Sequence, residues 1–225
     1  MEASLHQAFR ALAADLDGID RDSYGEAGRD PLEPLLGLGD PDSPLCFFGR
    51  DPGREEVRLG EPFVGAGGRL LRQGLHRHLY GREADGLEAL RALTPRFFWL
   101  NTVPYKPLGN RAWSLAVKRR FAPMLRRVLG EQWHGREVIT LGREAFLWFG
   151  LDQPPETRRA LEAFWQREDR FTASVEVQLQ GEGEASRAFR LHPLPHPSPL
   201  NRVWLGRFPR LLEGRLQDLG IGAAG

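Results

Sequence analysis

The chain has 225 residues, 41% of them hydrophobic, with 26 Gly, 17 Pro and a formal net charge of only +1. That is enough apolar material for one good core, so a single domain spanning 1–225 with its core at about 45–212 is expected. The near-neutral balance excludes a basic polymer binder and the glycine and proline content excludes a helical bundle; Arg far outnumbers Lys, so any phosphate-binding surface is local and built from arginine.

Residues 4–17 place Leu5, Phe9, Leu12, Ala13 and Leu16 at helical spacing. The stretch 18–43, rich in Gly, Asp and Pro, reads as a surface loop. Leu45 to Phe48 is a short apolar run, a buried strand stopped by Gly49. Gly65-Ala66-Gly67-Gly68 leads into a helix beginning near Arg69, and Phe97 to Val103 is a second strand. A helix follows from about Trp113 to Leu129, with a kink expected at Pro123. Val138 to Leu141 is a third strand, succeeded by Gly142 and a helix carrying Ala145, Phe146 and Phe149, and the charged stretch 151–170 is helical. Val175–Leu179 and Ala188–Leu191, around Gly181-Glu182-Gly183, predict an antiparallel hairpin. Residues 204–219 close the chain as a helix despite Pro209. Strand and helix alternate through the middle, which predicts a parallel sheet covered on both faces.

Three segments carry chemistry. Gly49-Arg50-Asp51-Pro52-Gly53 ends a strand in a sharp turn where Pro52 restricts Asp51; the carboxylate is either a turn former or a group held for base or electrostatic work. Asn101 closes a hydrophobic strand, as a satisfied cap or as a reader of a donor–acceptor edge. His192-Pro193-Leu194-Pro195-His196-Pro197-Ser198-Pro199-Leu200 has alternate prolines that enforce an extended path and hold an imidazole, a hydroxyl and a leucine within five residues. His192 reads as structural. Between the first two, Phe63 beside the glycine turn suits stacking on a flat base, and amides at a helix start suit a phosphate. The loop Pro104 to Arg111 is stiff and partly basic, fit to flank a DNA strand.

Cys46, the single cysteine, excludes an internal disulfide and a cysteine-ligated iron–sulfur cluster. The histidines show no metal-ligand spacing, His76 and His78 included, so no metal and no cofactor is expected. No segment approaches the roughly 18 consecutive apolar residues of a membrane span, and the start Met1-Glu2-Ala3-Ser4-Leu5-His6 lacks signal-peptide order. A soluble protein of the (bacterial) cytoplasm, without membrane partners, is the expectation.

Taken together, Gly49-Arg50-Asp51-Pro52, Leu100-Asn101-Thr102-Val103 and His196-Pro197-Ser198-Pro199-Leu200, with Phe63 between, resemble the uracil-DNA glycosylase superfamily. Pro62-Phe63-Val64-Gly65, Asn110-Arg111 and Val138-Ile139-Thr140-Leu141-Gly142 look most like its thermophilic and bacterial iron–sulfur branch, whose cluster cysteines this chain lacks. The resemblance implies a three-layer α/β/α sandwich around a mostly parallel four-stranded sheet. It implies a monomeric, metal-independent DNA repair hydrolase that flips uracil out of single- or double-stranded DNA and leaves an abasic site. By the same resemblance Asp51 and His196 are catalytic. Asn101, Phe63, Gly49 and Gly53 bind the base, while Leu200, Ser198, Gly67, Gly68, Arg69, Asn110, Arg111 and Arg202 contact DNA. Gly53 stands where the best-known branch has a tyrosine that blocks the thymine methyl, so other deaminated or mismatched bases enter the expected range. Two rivals remain: a non-catalytic binder of uracil-containing or abasic DNA on the same fold, and a metal-dependent hydrolase of small nucleotides drawing on Glu55, Glu56 and Glu61.

Overall fold

The computed structural model describes residues 2–180, 186–198 and 201–222. In chain order its elements are α1 (Glu2–Ala13), α2 (Arg21–Glu26), β1 (Leu38–Gly39), β2 (Leu45–Gly49), α3 (Arg54–Leu59), α4 (Ala66–Tyr80), α5 (Gly86–Arg91) and β3 (Phe98–Asn101). They continue with α6 (Leu115–Arg127), β4 (Glu137–Leu141), α7 (Arg143–Trp148), α8 (Pro155–Gln166), β5 (Val175–Gln180), β6 (Ser186–Leu194), α9 (Arg202–Leu205) and α10 (Phe208–Asp218).

The strands form one sheet in the order β1-β3-β2-β4-β6-β5. The inner four are mutually parallel, and β1 and β5 add antiparallel edges. The expected four-stranded sheet is thus the parallel centre of a six-stranded one. Side chains on successive strand residues point to opposite faces, and the burial follows that period. Cys46 and Phe48 of β2, Phe98 and Leu100 of β3, Val138 of β4 and Phe189 and Leu191 of β6 pack into one core with α1, α6, α7 and α8. Phe47, Trp99, Ile139, Leu141 and Leu194 pack into the other, beneath Leu71, Leu75 and Leu79 of α4 and Phe208, Leu212 and Leu216 of α10. Two apolar faces, each covered by helices, make the three layers of an α/β/α sandwich.

Several expected boundaries shift. The glycine turn is already helical, because α4 starts at Ala66 with Gly65 as its N-cap. The helix through Pro123 runs unbroken from Leu115 to Arg127 and continues as a π-turn over Val128–Gln132. The closing helix is two, α9 and α10, because Pro209 sits in the first turn of α10, where a missing N–H costs no hydrogen bond. Val175–Gln180 and Ser186–Leu194 pair antiparallel as expected, while their connecting turn at 181–183 lies outside the described residues. The proline-rich segment through Leu194 is the end of β6 itself, with Pro193 paired to Thr140.

The largest departure is residues 18–43, which are no mere surface loop. Asp20 N donates to Lys106 O (3.0 Å), Leu108 N to Gly18 O (2.8 Å) and Leu35 N to Pro104 O (2.9 Å). The buried Lys106 ammonium lies 2.6 Å from Asp20 Oδ2, and the Tyr105 hydroxyl donates to Leu32 O (3.0 Å). This segment pins the loop that follows Asn101. Removing one partner of a buried pair strands the other charge, so Asp20→Ala is expected to cost about 3–5 kcal/mol in urea unfolding. Lys106→Met in the Asp20→Ala background should recover part of that loss; no recovery would mean that the pair is not what holds the loop.

Candidate active site

The chain builds β3 on one side of β2 and then crosses to build β4 on the other, so the crevice between β2 and β4 is the switch point of the sheet. Loops at the carboxyl ends of strands meet there. Gly49 pairs with Asn101 at the ends of β2 and β3, and Leu141 pairs with Leu194 at the ends of β4 and β6. The residues just beyond, Asp51, Asn101, Gly142 and His196, therefore share one edge.

Asp51 is held tightly. Thr102 N donates to the Gly49 and Arg50 carbonyls (3.0 and 2.9 Å), and Thr102 Oγ1 donates to Arg50 O (2.5 Å) and Asp51 Oδ1 (3.3 Å). Arg50 Nε lies 3.1 Å from Asp51 Oδ2, and the Asp51 side chain is fully buried. Among the described residues Oδ2 accepts no aligned hydrogen bond. Burial raises the carboxyl to a pKa of about 6, against the lowering pull of Arg50, Lys118 and Thr102. Lys118, buried on α6 and paired with Glu144 of α7, is a charge that sequence reading did not bring to this site.

His196 follows the end of β6. Its carbonyl accepts from Ser198 N (2.8 Å) and Asn201 Nδ2 (3.3 Å), and Asn201 N donates to Ser198 O (2.8 Å), so the loop is tied to itself. Gly142 lies directly beneath, where a Cβ would sit 2.9 Å from His196 Cβ and where φ is +92°. Only glycine serves both demands. Burial, with Arg50 nearby, lowers the imidazole pKa to about 4, so the ring is neutral at physiological pH.

Asn101 is buried at the end of β3. Its Oδ1 lies where a Gly49 Cβ would come within 2.6 Å, and the Phe63 ring edge lies 2.8 Å from the same point. Gly49 is thus the floor between amide and ring, and a side chain there would fill the space. Phe63 packs on Trp99, with ring centroids 5.3 Å apart. Gly53 caps α3, and a Cβ on it would lie 2.9 Å from Glu56 Oε2.

The remaining expected DNA contacts divide. Gly67 packs against the Pro197 carbonyl and Gly68 against the Phe63 backbone, so both serve the close approach of two loops to the start of α4. Arg69 is engaged: Nε donates to Val64 O (2.9 Å) and Nη2 to Glu55 Oε2 (3.2 Å). Arg111 and Arg202 are exposed. Leu200 lies outside the described residues, as does the Asn110 side chain. His192, read as structural, is buried on β6 with Nε2 2.6 Å from Glu137 Oε2.

The acids that a metal-dependent hydrolase would use are committed elsewhere. Glu55 pairs with Arg58 and Arg69, Glu61 with Arg72 and Arg91, and Glu56 accepts backbone amides. Among the described residues no three His, Cys, Asp or Glu side chains converge as a metal site. An iron–sulfur cluster does not fit either, since it needs several thiolates and Cys46 is alone and buried in β2. Among the described residues no helix is long and apolar enough to cross a membrane. A groove of about 400 Å³ lies beside Lys118 and Glu144 and carries Arg119, Arg143 and Arg158 on its rim.

The fold and its site define a doubly wound α/β protein whose polar groups gather at the carboxyl edge of the switch point. The chain matches the model of the uracil DNA glycosylase superfamily over residues 36–220 and belongs to that superfamily. It is also 36% identical over 75 residues to the Type-4 uracil-DNA glycosylase of Sulfurisphaera tokodaii. That alignment covers 33% of this chain and 29% of the relative's own length.

Proposed function

We propose that this protein hydrolyses the N-glycosidic bond between uracil and deoxyribose in DNA, releasing the free base and leaving an abasic site. The observation that carries the reading is the Asp51 carboxylate, fully buried at the switch point with one oxygen lacking an aligned donor. A base inside a duplex is out of reach, so the nucleotide turns outward, at a cost of a few kcal/mol that is least for a mismatch or a single strand. Phe63 stacks on the base, Asn101 pairs with its edge, and Leu200 fills the gap left in the stack. Ser198, Gly67, Gly68, Asn110, Arg111 and Arg202 lie along the DNA path, and Arg69 orders the loop before α4.

As the C1′–N1 bond breaks, positive charge grows on the sugar and negative charge on the uracil O2. The Asp51 carboxylate faces the first charge, orients water toward C1′ and takes its proton as the new C1′–O bond forms. The neutral His196 ring donates a hydrogen bond to O2, so the base leaves as an anion held by a preorganised donor. Loss of the tyrosine bulk at Gly53 opens the pocket to a 5-methyl group, and thymine opposite guanine becomes a substrate. Parallel reactions on labelled single-stranded U, U·A, U·G and T·G DNA, with EDTA present and alkali afterwards, test both parts. Breakage at U with weaker breakage at T·G is the expected pattern. Breakage at U alone removes the role given to Gly53, and tight binding without breakage would replace the enzyme by a non-catalytic reader.

A further inference from the structure

Phe63 is held in an unusual way. Its φ is +59°, the left-handed region that a bulky aromatic residue avoids, and such strain persists only where the surroundings enforce it. The half-buried Glu56 and the fully buried Arg72 grip its backbone from opposite sides. Glu56 Oε1 accepts from Phe63 N (2.9 Å), while Arg72 Nε donates to Phe63 O (2.8 Å). Arg72 has no exposed surface. It also reaches Pro62 O (3.2 Å), Leu90 O (3.0 Å), Thr94 Oγ1 (2.8 Å) and Glu61 Oε1 (3.2 Å), and its guanidinium lies 4.4 Å from the centre of the Trp99 ring against which Phe63 packs. The second oxygen of Glu56 accepts from Gly53 N in the turn just after Asp51, and the carboxylate also receives the Gly65 amide. One carboxylate therefore joins the turn that holds Asp51 to the turn that holds Phe63.

We propose that Glu56 is a positioning residue that locks Phe63 in its strained conformation and sets the stacking ring in register with Asp51. The proposal rests on the uracil-excising reading given above and adds to it how the base is placed relative to the attacking water. A ring fixed before the base arrives needs no ordering when it binds, and a misplacement of one ångström is enough to lose most of a rate. Glutamine at this position keeps the length but replaces one acceptor oxygen by a donor, so it cannot accept from both turns.

Two measurements on the full chain test this. In peptide-resolved hydrogen exchange, Glu56→Gln should speed exchange of the Phe63 amide by about tenfold or more while α10 stays as protected as in the wild type. Unchanged exchange at Phe63 overturns the clamp. In single-turnover excision from uracil DNA, Glu56→Gln should raise the half-saturating enzyme concentration and lower the maximal rate, about tenfold in their ratio. In a Phe63→Ala background the same change should cost less than about twofold, since non-additivity is the mark of action through a shared partner. Equal losses in both backgrounds overturn the proposal, because Glu56 would then act through Gly53 or through the fold. Glu56→Asp, one methylene too short to span both turns, replaces the Gln variant if that is insoluble. A wild-type protein that excises nothing overturns the uracil reading and not the clamp, which the exchange measurement decides on its own.

Discussion

Asp51→Asn is expected to slow single-turnover excision by about 10²- to 10⁴-fold, the range for a positioned acid or base, while leaving DNA affinity nearly unchanged. Asparagine is isosteric and keeps the bond from Thr102, but it can neither take a proton from water nor oppose the charge on the sugar. The same residue sets the acid limb of the rate. With a pKa raised to about 6, Asp51 gains its working charge only above that pH, so the rate should climb about tenfold per pH unit below 6 and level off above it. It also links function to stability with a defined sign. The native carboxyl binds its proton more tightly than the unfolded one, whose ordinary value is 3.8. Stability therefore falls as pH rises from about 4 to about 6, and at pH 8 the charged, buried group costs the fold about 3 kcal/mol. Asp51→Asn should accordingly be the more stable protein at pH 8, by an amount that vanishes below pH 4. Denaturation curves at the two pH values check this, and equal stability at pH 8 would show that Asp51 is not ionised in a dry site.

His196→Ala is the second large effect, a loss of about 10²- to 10³-fold in the chemical step, as expected for removing one donor aimed at a developing oxyanion. The sign of its pH dependence differs from that of Asp51. Burial and Arg50 hold the imidazolium pKa near 4, so the ring is already neutral where Asp51 ionises and adds no second limb between pH 5 and 8. Replacing His196 should thus lower the plateau of the pH–rate profile without moving its midpoint, whereas Arg50→Ala should shift the midpoint upward by removing the cation that lies 3.1 Å from Asp51 Oδ2. A His196→Ala profile with a displaced midpoint would mean that the histidine, not the aspartate, titrates.

Much of the site was legible because it sits where apolar runs stop. Phe48-Gly49 and Leu100-Asn101 mark the ends of buried parallel strands, and the side chains just beyond such ends point into the crevice of the sheet. The histidine loop was legible through its prolines, although its first half proved to be strand. Contacts between charged residues far apart in the chain were not legible. Asp20 and Lys106 are 86 positions apart, and no period in either segment announces their pairing. Glu56 looked like one of a loose group of acids because its partners are backbone amides, which carry no sequence signal. The complete burial of Arg72 follows from the carbonyls of Pro62, Phe63 and Leu90 and the hydroxyl of Thr94, which three separate stretches of chain gather around it. The edge strand β1, two residues long, was below the length at which alternation can be seen.

The most direct test is chemical analysis of what leaves the DNA. Excess wild-type protein and, separately, Asp51→Asn would be mixed with single-stranded DNA bearing one isotopically labelled uracil, and the supernatant analysed for the free base against time. Release of one equivalent of intact uracil by the wild type, with an abasic site left in an unbroken strand and a rate at least 10²-fold lower for Asp51→Asn, is the predicted result. Release of a nucleotide, or of uracil at equal rates by both proteins, would contradict a glycosidic hydrolysis carried by Asp51.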